Sequence, residues 1–235
     1  PGRPLRAHDA AALAAAGVVR VAVATRPRVR LVVAGPKAGP DAHAPMLRAL
    51  VARDGGAPEV APGGPLGEAM ARAAQEPGAD LVLVTGRSGT GPDDDAPAGL
   101  ARHGALELHG LALRPGGSTG LGVAHGIPVV LLPGDPLACL CAYELVAGRL
   151  VRRLAGRGPE LPHATRDATL ARKVASAVGY VEVCPVRLAE GVADPGGIPD
   201  FGGLWSAARA DGFVIVPAAL EGYPPGARVT VHLYH

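Results

Sequence analysis

Ala79-Asp80-Leu81-Val82-Leu83-Val84-Thr85-Gly86-Arg87-Ser88-Gly89-Thr90-Gly91 joins a short apolar run to a loop rich in glycine. Leu81–Thr85 is too short for a helix and has no polar break, which predicts a strand buried on both faces in a parallel sheet. In open α/β sheets, ligands sit beyond the carboxyl ends of the strands. Glycines at such an end let backbone N–H groups approach an anion, and a helix start behind them adds favourable charge. Ser88 and Thr90 add hydroxyl donors for a phosphate. The loop lacks the Gly-Lys-Ser/Thr of a P-loop and does not follow the dinucleotide fingerprint. An ordinary crossover turn is the alternative reading. Asp93, Asp94 and Asp95 come next, and carboxylates of this kind can share Mg²⁺ with substrate phosphates. The alternative is a solvated loop in which Asp95 caps the helix that begins near Pro97.

Outward from this centre, strands and helices alternate. Val29–Ala34, Glu59–Ala61 and Ile127–Leu132 read as further strands, and Ala105–Leu113 as another candidate. Asp41–Arg53 places Met46, Leu47, Leu50 and Val51 at helical spacing, and Leu66–Gln75, residues 97–103 and Asp135–Leu154 are also predicted helices. A turn at Gly35-Pro36 closes the first strand, and residues 115–126 read as one loop carrying five glycines. This alternation predicts an α/β domain with a mostly parallel sheet. Pro133-Gly134-Asp135-Pro136 is a turn and helix cap whose N–H groups also point at a site for an anion. Residues 165–235 change character. Thr169–Val174, Tyr180–Leu188, Phe213–Val216 and Arg228–Tyr234 read as short strands separated by turns such as Pro195-Gly196-Gly197, which predicts a small all-β barrel or sandwich. Trp205 is expected to anchor its packing. Residues 156–162 form the linker.

Composition narrows the function classes. Gly and Pro account for 58 of 235 residues, yet 48% of the chain is hydrophobic and the net charge is +2. That excludes a disordered chain and gives no basic stripe for nucleic acid. Of the 23 basic residues, 21 are Arg. Arg26, Arg28 and Arg30 share one face if extended, as a solvated edge or as a phosphate patch. Three cysteines, Cys139, Cys141 and Cys184, offer no disulfide framework and suit a reducing cytoplasm. Cys139 and Cys141 read as core residues, and His103 and His109 lie in no metal motif. No run approaches the ~18 apolar residues of a membrane span. Arg3, Arg6 and Ala22-Val23-Ala24 mimic a signal peptide, but Asp9 and Arg20 break the pattern, and Asp9 reads as the cap of a short helix ended by Gly17. The chain opens on Pro1 rather than Met, as a fragment would.

Taken in order, these motifs resemble the C-terminal two-thirds of the molybdopterin molybdenumtransferase family. The resemblance runs through Pro4–Asp9, Arg26–Val29 with Ala34-Gly35, Ala79–Gly86, Leu113–Gly116, Leu132–Pro136, Ala210–Pro217 and Gly226–Val231. It implies a three-layer molybdopterin-binding α/β domain over 26–156, entered through a helix and connector over 1–25, and a β-barrel-like domain over 163–235. It implies molybdopterin as substrate or ligand, Mg²⁺, a homodimer, a cofactor-pathway or molybdoenzyme partner, and insertion of molybdate into adenylylated molybdopterin with release of AMP. The implied catalytic and metal residue is Asp94. The implied substrate contacts are Asp80, Gly86, Ser88, Gly89, Thr90, Arg114, Gly116, Gly134 and Asp135.

The chain departs from the family at several polar positions. Asp-Ser-Asn is Asp41-Ala42-His43, Gly-Asp-Glu is Gly35-Pro36-Lys37, and Gly-Gly is Gly86-Arg87. Lys-Pro-Gly-Lys-Pro is Arg114-Pro115-Gly116-Gly117-Ser118, Asn-Pro-Val-Ser is Asp135-Pro136-Leu137-Ala138, and Gly-Ser falls near Phe201-Gly202-Gly203. The family's two N-terminal domains have no counterpart in this chain. A non-catalytic pterin- or nucleotide-binding module is the second reading.

Overall fold

The computed structural model describes residues 5–34, 41–195 and 203–234. In chain order come α1 (Ala7–Ala15), β1 (Arg28–Val33), α2 (His43–Arg53), β2 (Ala57–Val60), α3 (Leu66–Gln75), β3 (Leu81–Thr85), α4 (Ala96–His103), β4 (Gly104–His109), β5 (Leu113–Arg114), β6 (Gly120–Ala124) and β7 (Ile127–Leu132). One long helical segment follows: α5 (Pro136–Ala142), a π-helical turn over Tyr143–Ala147, and α6 (Gly148–Leu154). The rest is β8 (Thr165–Leu170), β9 (Val174–Ala175), β10 (Val181–Ala189), β11 (Val192–Asp194), α7 (Leu204–Arg209), β12 (Gly212–Val216), β13 (Gly222–Tyr223) and β14 (Arg228–Leu233).

The first sheet has the order β2-β1-β3-β7-β6-β4. β2, β1, β3 and β7 run parallel, while β6 and β4 are added antiparallel. Side chains alternate across it with period two. Leu81 and Leu83 join Val29, Leu31, Val130 and Leu132 in a cluster with Leu47 and Val51 of α2, Cys139 of α5 and Val151 of α6. Val82 and Val84 join Val32, Val129 and Leu131 in a second cluster, under Leu66, Met70 and Ala73 of α3 and Leu100 of α4. The result is a three-layer α/β domain. Each side chain so buried contributes roughly 1.5–3 kcal/mol, which is why an unbroken apolar run predicts β3 so well.

The second sheet closes on itself. Its strands follow the order β11-β8-β14-β12-β10, and β11 pairs again with β10. This five-stranded barrel encloses Leu170, Val186, Val214, Val216 and Val231. Its Val183 and Phe213 instead belong to the first domain's cluster, together with Leu113, so the two units share an apolar seam.

Several expectations change. The strand expected over 105–113 splits: β4 stays in the first sheet, whereas β5 pairs with β10 of the barrel. The loop expected over 115–126 contains β6. Gly122 belongs in that strand because a Cβ there would run into the Ala105 carbonyl and stand 2.8 Å from Leu100 Cδ2. His125 and Gly126, at φ +50° and +80°, form the tight turn into β7. The strand expected over 169–174 is drawn back to Thr165–Leu170, with β9 separate. Trp205 anchors no core: it lies on α7, 66% exposed. Asp9 is not the cap of α1 but sits three residues in, where its Oδ2 accepts the Arg6 N–H at 2.9 Å. Asp95 stands at the start of α4 without a side-chain cap bond. The turns at Gly35-Pro36 and Gly196-Gly197, Lys37 and Phe201-Gly202 lie outside the described residues.

Gly122→Val is expected to force β4 and β6 apart and to lower stability by roughly 1–3 kcal/mol, the usual range for overpacking. Urea unfolding measures it, and an unchanged midpoint would refute the close-approach account.

Candidate functional site

Three strand ends meet at one crevice. Ala34, after β1, donates its N–H to the Thr85 carbonyl at 2.9 Å, and Gly86 donates to the Leu132 carbonyl at 3.2 Å. Gly86 has φ +89°, a conformation suited to glycine. A Cβ on Gly134 would stand 3.3 Å from Gly86 Cα. The turns after β3 and β7 therefore run back to back with no side chain between them. Thr85 Oγ1 ties them by donating to the Pro133 carbonyl at 3.2 Å.

Two helices start at this crevice, each capped by an aspartate. Asp135 accepts the Ala138 N–H at 2.8 Å at the head of α5. Asp41 accepts the N–H groups of His43 and Ala44 at 2.8 and 3.2 Å at the head of α2. Two histidines outside the expected site hold the turns. His43 Nε2 donates to the Gly134 carbonyl at 3.1 Å, and His109 Nε2 donates to the Ser88 carbonyl at 2.7 Å. A carbonyl can only accept, so Nε2 is the donor in each ring. Only the departure Asp41-Ala42-His43 from the family pattern points to His43 in the sequence, and His109 stands out there only as a histidine outside any metal motif.

The expected site residues divide. Gly86, Gly134 and Asp135 lie together. Gly116 belongs to a loop that reaches the same place, because Ser118 Oγ is 3.3 Å from Ser88 Oγ. Ser88 itself is 1% exposed and its hydroxyl donates to the Leu132 carbonyl at 3.1 Å, so it faces the protein interior rather than a ligand. Thr90 is exposed and Gly89 half-buried on the outer part of the loop. Asp94 Oδ2 accepts the Gly91 N–H at 2.8 Å, closing that loop. Asp80 lies at the opposite, amino end of β3, where its Oδ2 accepts the Arg28 N–H at 2.8 Å. The Arg114 guanidinium stacks 3.8 Å from the centre of the Tyr180 ring, toward the barrel. Arg28 and Arg30 are spent on their own chain: Arg28 donates to the Pro77 carbonyl at 3.3 Å, and Arg30 pairs with Glu59 and Glu76. Cys139 is buried below the turns, and burial pushes its thiol up to about 12, so it is a core residue and no nucleophile. A cleft of about 510 Å³ opens elsewhere, at the seam, lined by apolar residues such as Leu111, Val146 and Ile215 with Arg149.

Residues 30–153 match the family described as a "probable molybdopterin binding domain". The chain belongs to this molybdopterin-binding domain family. Residues 167–234 match the MoeA C-terminal region, domain IV. The chain is 30% identical over 154 residues to a molybdopterin biosynthesis protein of Methanocaldococcus jannaschii, covering 66% of this chain and 36% of that protein. It is 29% identical over 160 residues to the molybdopterin molybdenumtransferase of Bacillus subtilis, covering 66% and 37%. Among solved structures, a molybdenum cofactor biosynthesis protein from Pyrococcus furiosus superposes with TM-score 0.74 at 28% identity, covering 98% of this chain and 76% of that one. A molybdopterin biosynthesis MoeA protein from Pyrococcus horikoshii gives 0.76 at 27%, covering 97% and 59%. The matched segments thus span little more than a third of those curated relatives. Within the molybdopterin-binding fold, the crevice built from β1, β3 and β7 lies inside the first match. No helix among the described residues is long and apolar enough to cross a membrane.

In this loop shape Asp93, Asp94 and Asp95 each already have a protein partner, so the segment presents no pair of unengaged carboxylates to the Mg²⁺ that the resemblance implies. Among the described residues, no group of three or more His, Cys, Asp or Glu side chains could hold a metal ion. Asp94 Oδ2 accepts from Gly91, and Asp95 Oδ2 pairs with Arg87 at 2.9 Å.

Proposed function

We propose that this chain binds the phosphate-bearing pterin of the molybdenum cofactor in the crevice between the ends of β1, β3 and β7, as part of a protein of cofactor biosynthesis. The observation that carries this reading is the back-to-back contact of Gly86 and Gly134. It brings two turns together with no side chain between them, at strand ends where a helix start can favour an anion. In the same reading the chain acts as a homodimer in the cytoplasm, beside a cofactor-pathway or molybdoenzyme partner. In this first reading the bound pterin is also the substrate for transfer of molybdate, with release of AMP.

A second reading, a binding module without transfer activity, is favoured by one observation. Ser88 and Asp94, both expected to face substrate, spend their polar atoms on the Leu132 carbonyl and the Gly91 N–H.

The test gives the purified chain adenylylated molybdopterin and molybdate, then follows pterin binding and AMP separately. Binding with AMP release supports the enzyme, and binding alone supports the module. Failure to bind molybdopterin refutes both. Asp94→Ala is expected to weaken pterin binding by about tenfold through loss of the loop-closing bond to Gly91, the scale of one charge-assisted hydrogen bond.

A further inference from the structure

Arg87 has a backbone conformation that side chains avoid. Its φ is +55°, in the left-handed region that favours glycine, and it stands directly after Gly86. A residue stays there only when its surroundings hold it. Here they do. Its Nε donates to the Asp93 carbonyl at 2.9 Å, a terminal guanidinium nitrogen lies 2.9 Å from Asp95 Oδ2, and its own carbonyl accepts the Ala96 N–H at 3.0 Å. The guanidinium thus rests on one backbone oxygen and one carboxylate oxygen of the acidic segment. Those are the oxygen types a hard divalent cation would take.

The neighbouring carboxylates are turned to the loop itself. Asp94 turns toward Gly91, and a Cβ on Gly89 would come within 2.6 Å of Asp94 Oδ2, so the carboxylate already covers those glycines. The other oxygen of Asp95 has no hydrogen-bond partner but is shut off from solvent. An ion could reach it only by displacing the protein atoms that cover it. The Arg87 side chain is 45% exposed, and its two contacts engage only two of the five N–H donors a guanidinium carries. An exposed guanidinium edge matches the paired oxygens of a phosphate.

We propose that Arg87 takes the place of a divalent cation in the loop after β3, so that the crevice holds a phosphate-bearing ligand without Mg²⁺. This rests on the phosphate reading of the crevice. It makes Arg87 a determinant of metal independence. The positive charge is tethered at the site instead of being recruited from solution.

Two probes test it on the full chain, Mn²⁺ alone and inorganic pyrophosphate. Mn²⁺ is expected to leave the amide resonances of residues 86–95 unbroadened, and to broaden them in Arg87→Gly. That variant relieves the unfavourable φ and so keeps the fold. Pyrophosphate affinity of the wild type is expected to change by less than about twofold between EDTA and Mg²⁺. Arg87→Gly is expected to bind at least about tenfold more weakly in EDTA and to recover part of that loss with Mg²⁺. Arg87→Lys, which keeps the charge but not the paired N–H edge, is expected to fall between Arg87→Gly and the wild type in EDTA. Wild-type binding that needs Mg²⁺, or Mn²⁺ broadening at 86–95 in the wild type, overturns the Arg87 assignment and leaves the crevice as a phosphate site. Equal EDTA affinity in Arg87→Gly overturns it too. No pyrophosphate binding under any condition removes the phosphate reading, and the role of Arg87 with it.

Discussion

Asp54→Ala is expected to lower the unfolding free energy by about 3–5 kcal/mol, the usual loss when one partner of a buried ion pair is removed. Asp54 is 0% exposed at the end of α2. Its Oδ2 accepts from Tyr143 Oη at 3.1 Å, from Arg152 at 2.9 Å and from Arg53 at 3.1 Å, while Oδ1 accepts from Arg53 Nε at 3.1 Å. Burial, then the charge of Asp54, raises the Tyr143 hydroxyl above its ordinary value, which keeps it a donor. The helix crossing that allows this is made by Gly148, where a Cβ would stand 2.7 Å from Asp54 Oδ2. Alanine would leave the Arg152 guanidinium, 3% exposed, without its carboxylate, with the Pro159 carbonyl at 3.3 Å and an Nε that already lacks a partner. In a chain of this size the loss corresponds to roughly 6–20 °C in Tm. Asp54→Asn keeps the shape and loses only the charge, so it should fall between alanine and wild type. Calorimetry at neutral pH measures all three. A shift of a degree or less for alanine would show that Arg152 finds another partner.

How much of this was legible in the sequence follows from what each residue reports. Leu81–Thr85, Leu66–Gln75 and Ile127–Leu132 are found at their expected places because burial writes itself into a run or a period. β6 was hidden because Gly120 and Gly122 are there for a neighbour's sake, and close approach leaves the same letter as a turn. β5 was hidden because Leu113 and Arg114 answer to a strand almost seventy residues on (Val181 and Glu182), which local pattern cannot show. The turns of the crevice were legible as Gly86 and Pro133-Gly134-Asp135, since backbone geometry demands those residue types. The side chains around them were not. Ser88 could have faced either way, and the choice was made by the Leu132 carbonyl. Asp80 looked close to Gly86 along the chain, but a strand separates its ends by about 3.3 Å per residue. His43 and His109 carry no local signal, because each acts on a carbonyl supplied by a distant turn.

Acidification is expected to unfasten the barrel from the α/β domain through Glu144. This residue of the π-helical turn is 3% exposed and accepts from Arg53 at 2.7 and 2.9 Å. Its Oε2 lies 3.0 Å from His163 Nε2, and His163 Nδ1 lies 2.9 Å from the Leu233 carbonyl of β14. The imidazole stands edge-on to Phe213 of β12, 5.3 Å between centres, so Glu144 reaches the barrel through one ring. Burial by itself would raise the Glu144 carboxyl, but the hydrogen bonds from His163 and then Arg53 outweigh it and hold the carboxyl below its ordinary value. A carboxyl depressed in the folded state contributes stability that is complete above its unfolded value, ~4.3, and is lost as pH falls through the folded one. Wild-type stability should therefore decline below about pH 5. Glu144→Gln should be less stable by roughly 3–5 kcal/mol at neutral pH, and the gap should narrow as acid protonates the wild-type carboxyl. Urea titrations at stepped pH read the gap directly. A gap that stays constant into acid would mean that the Glu144 charge does not join the two domains.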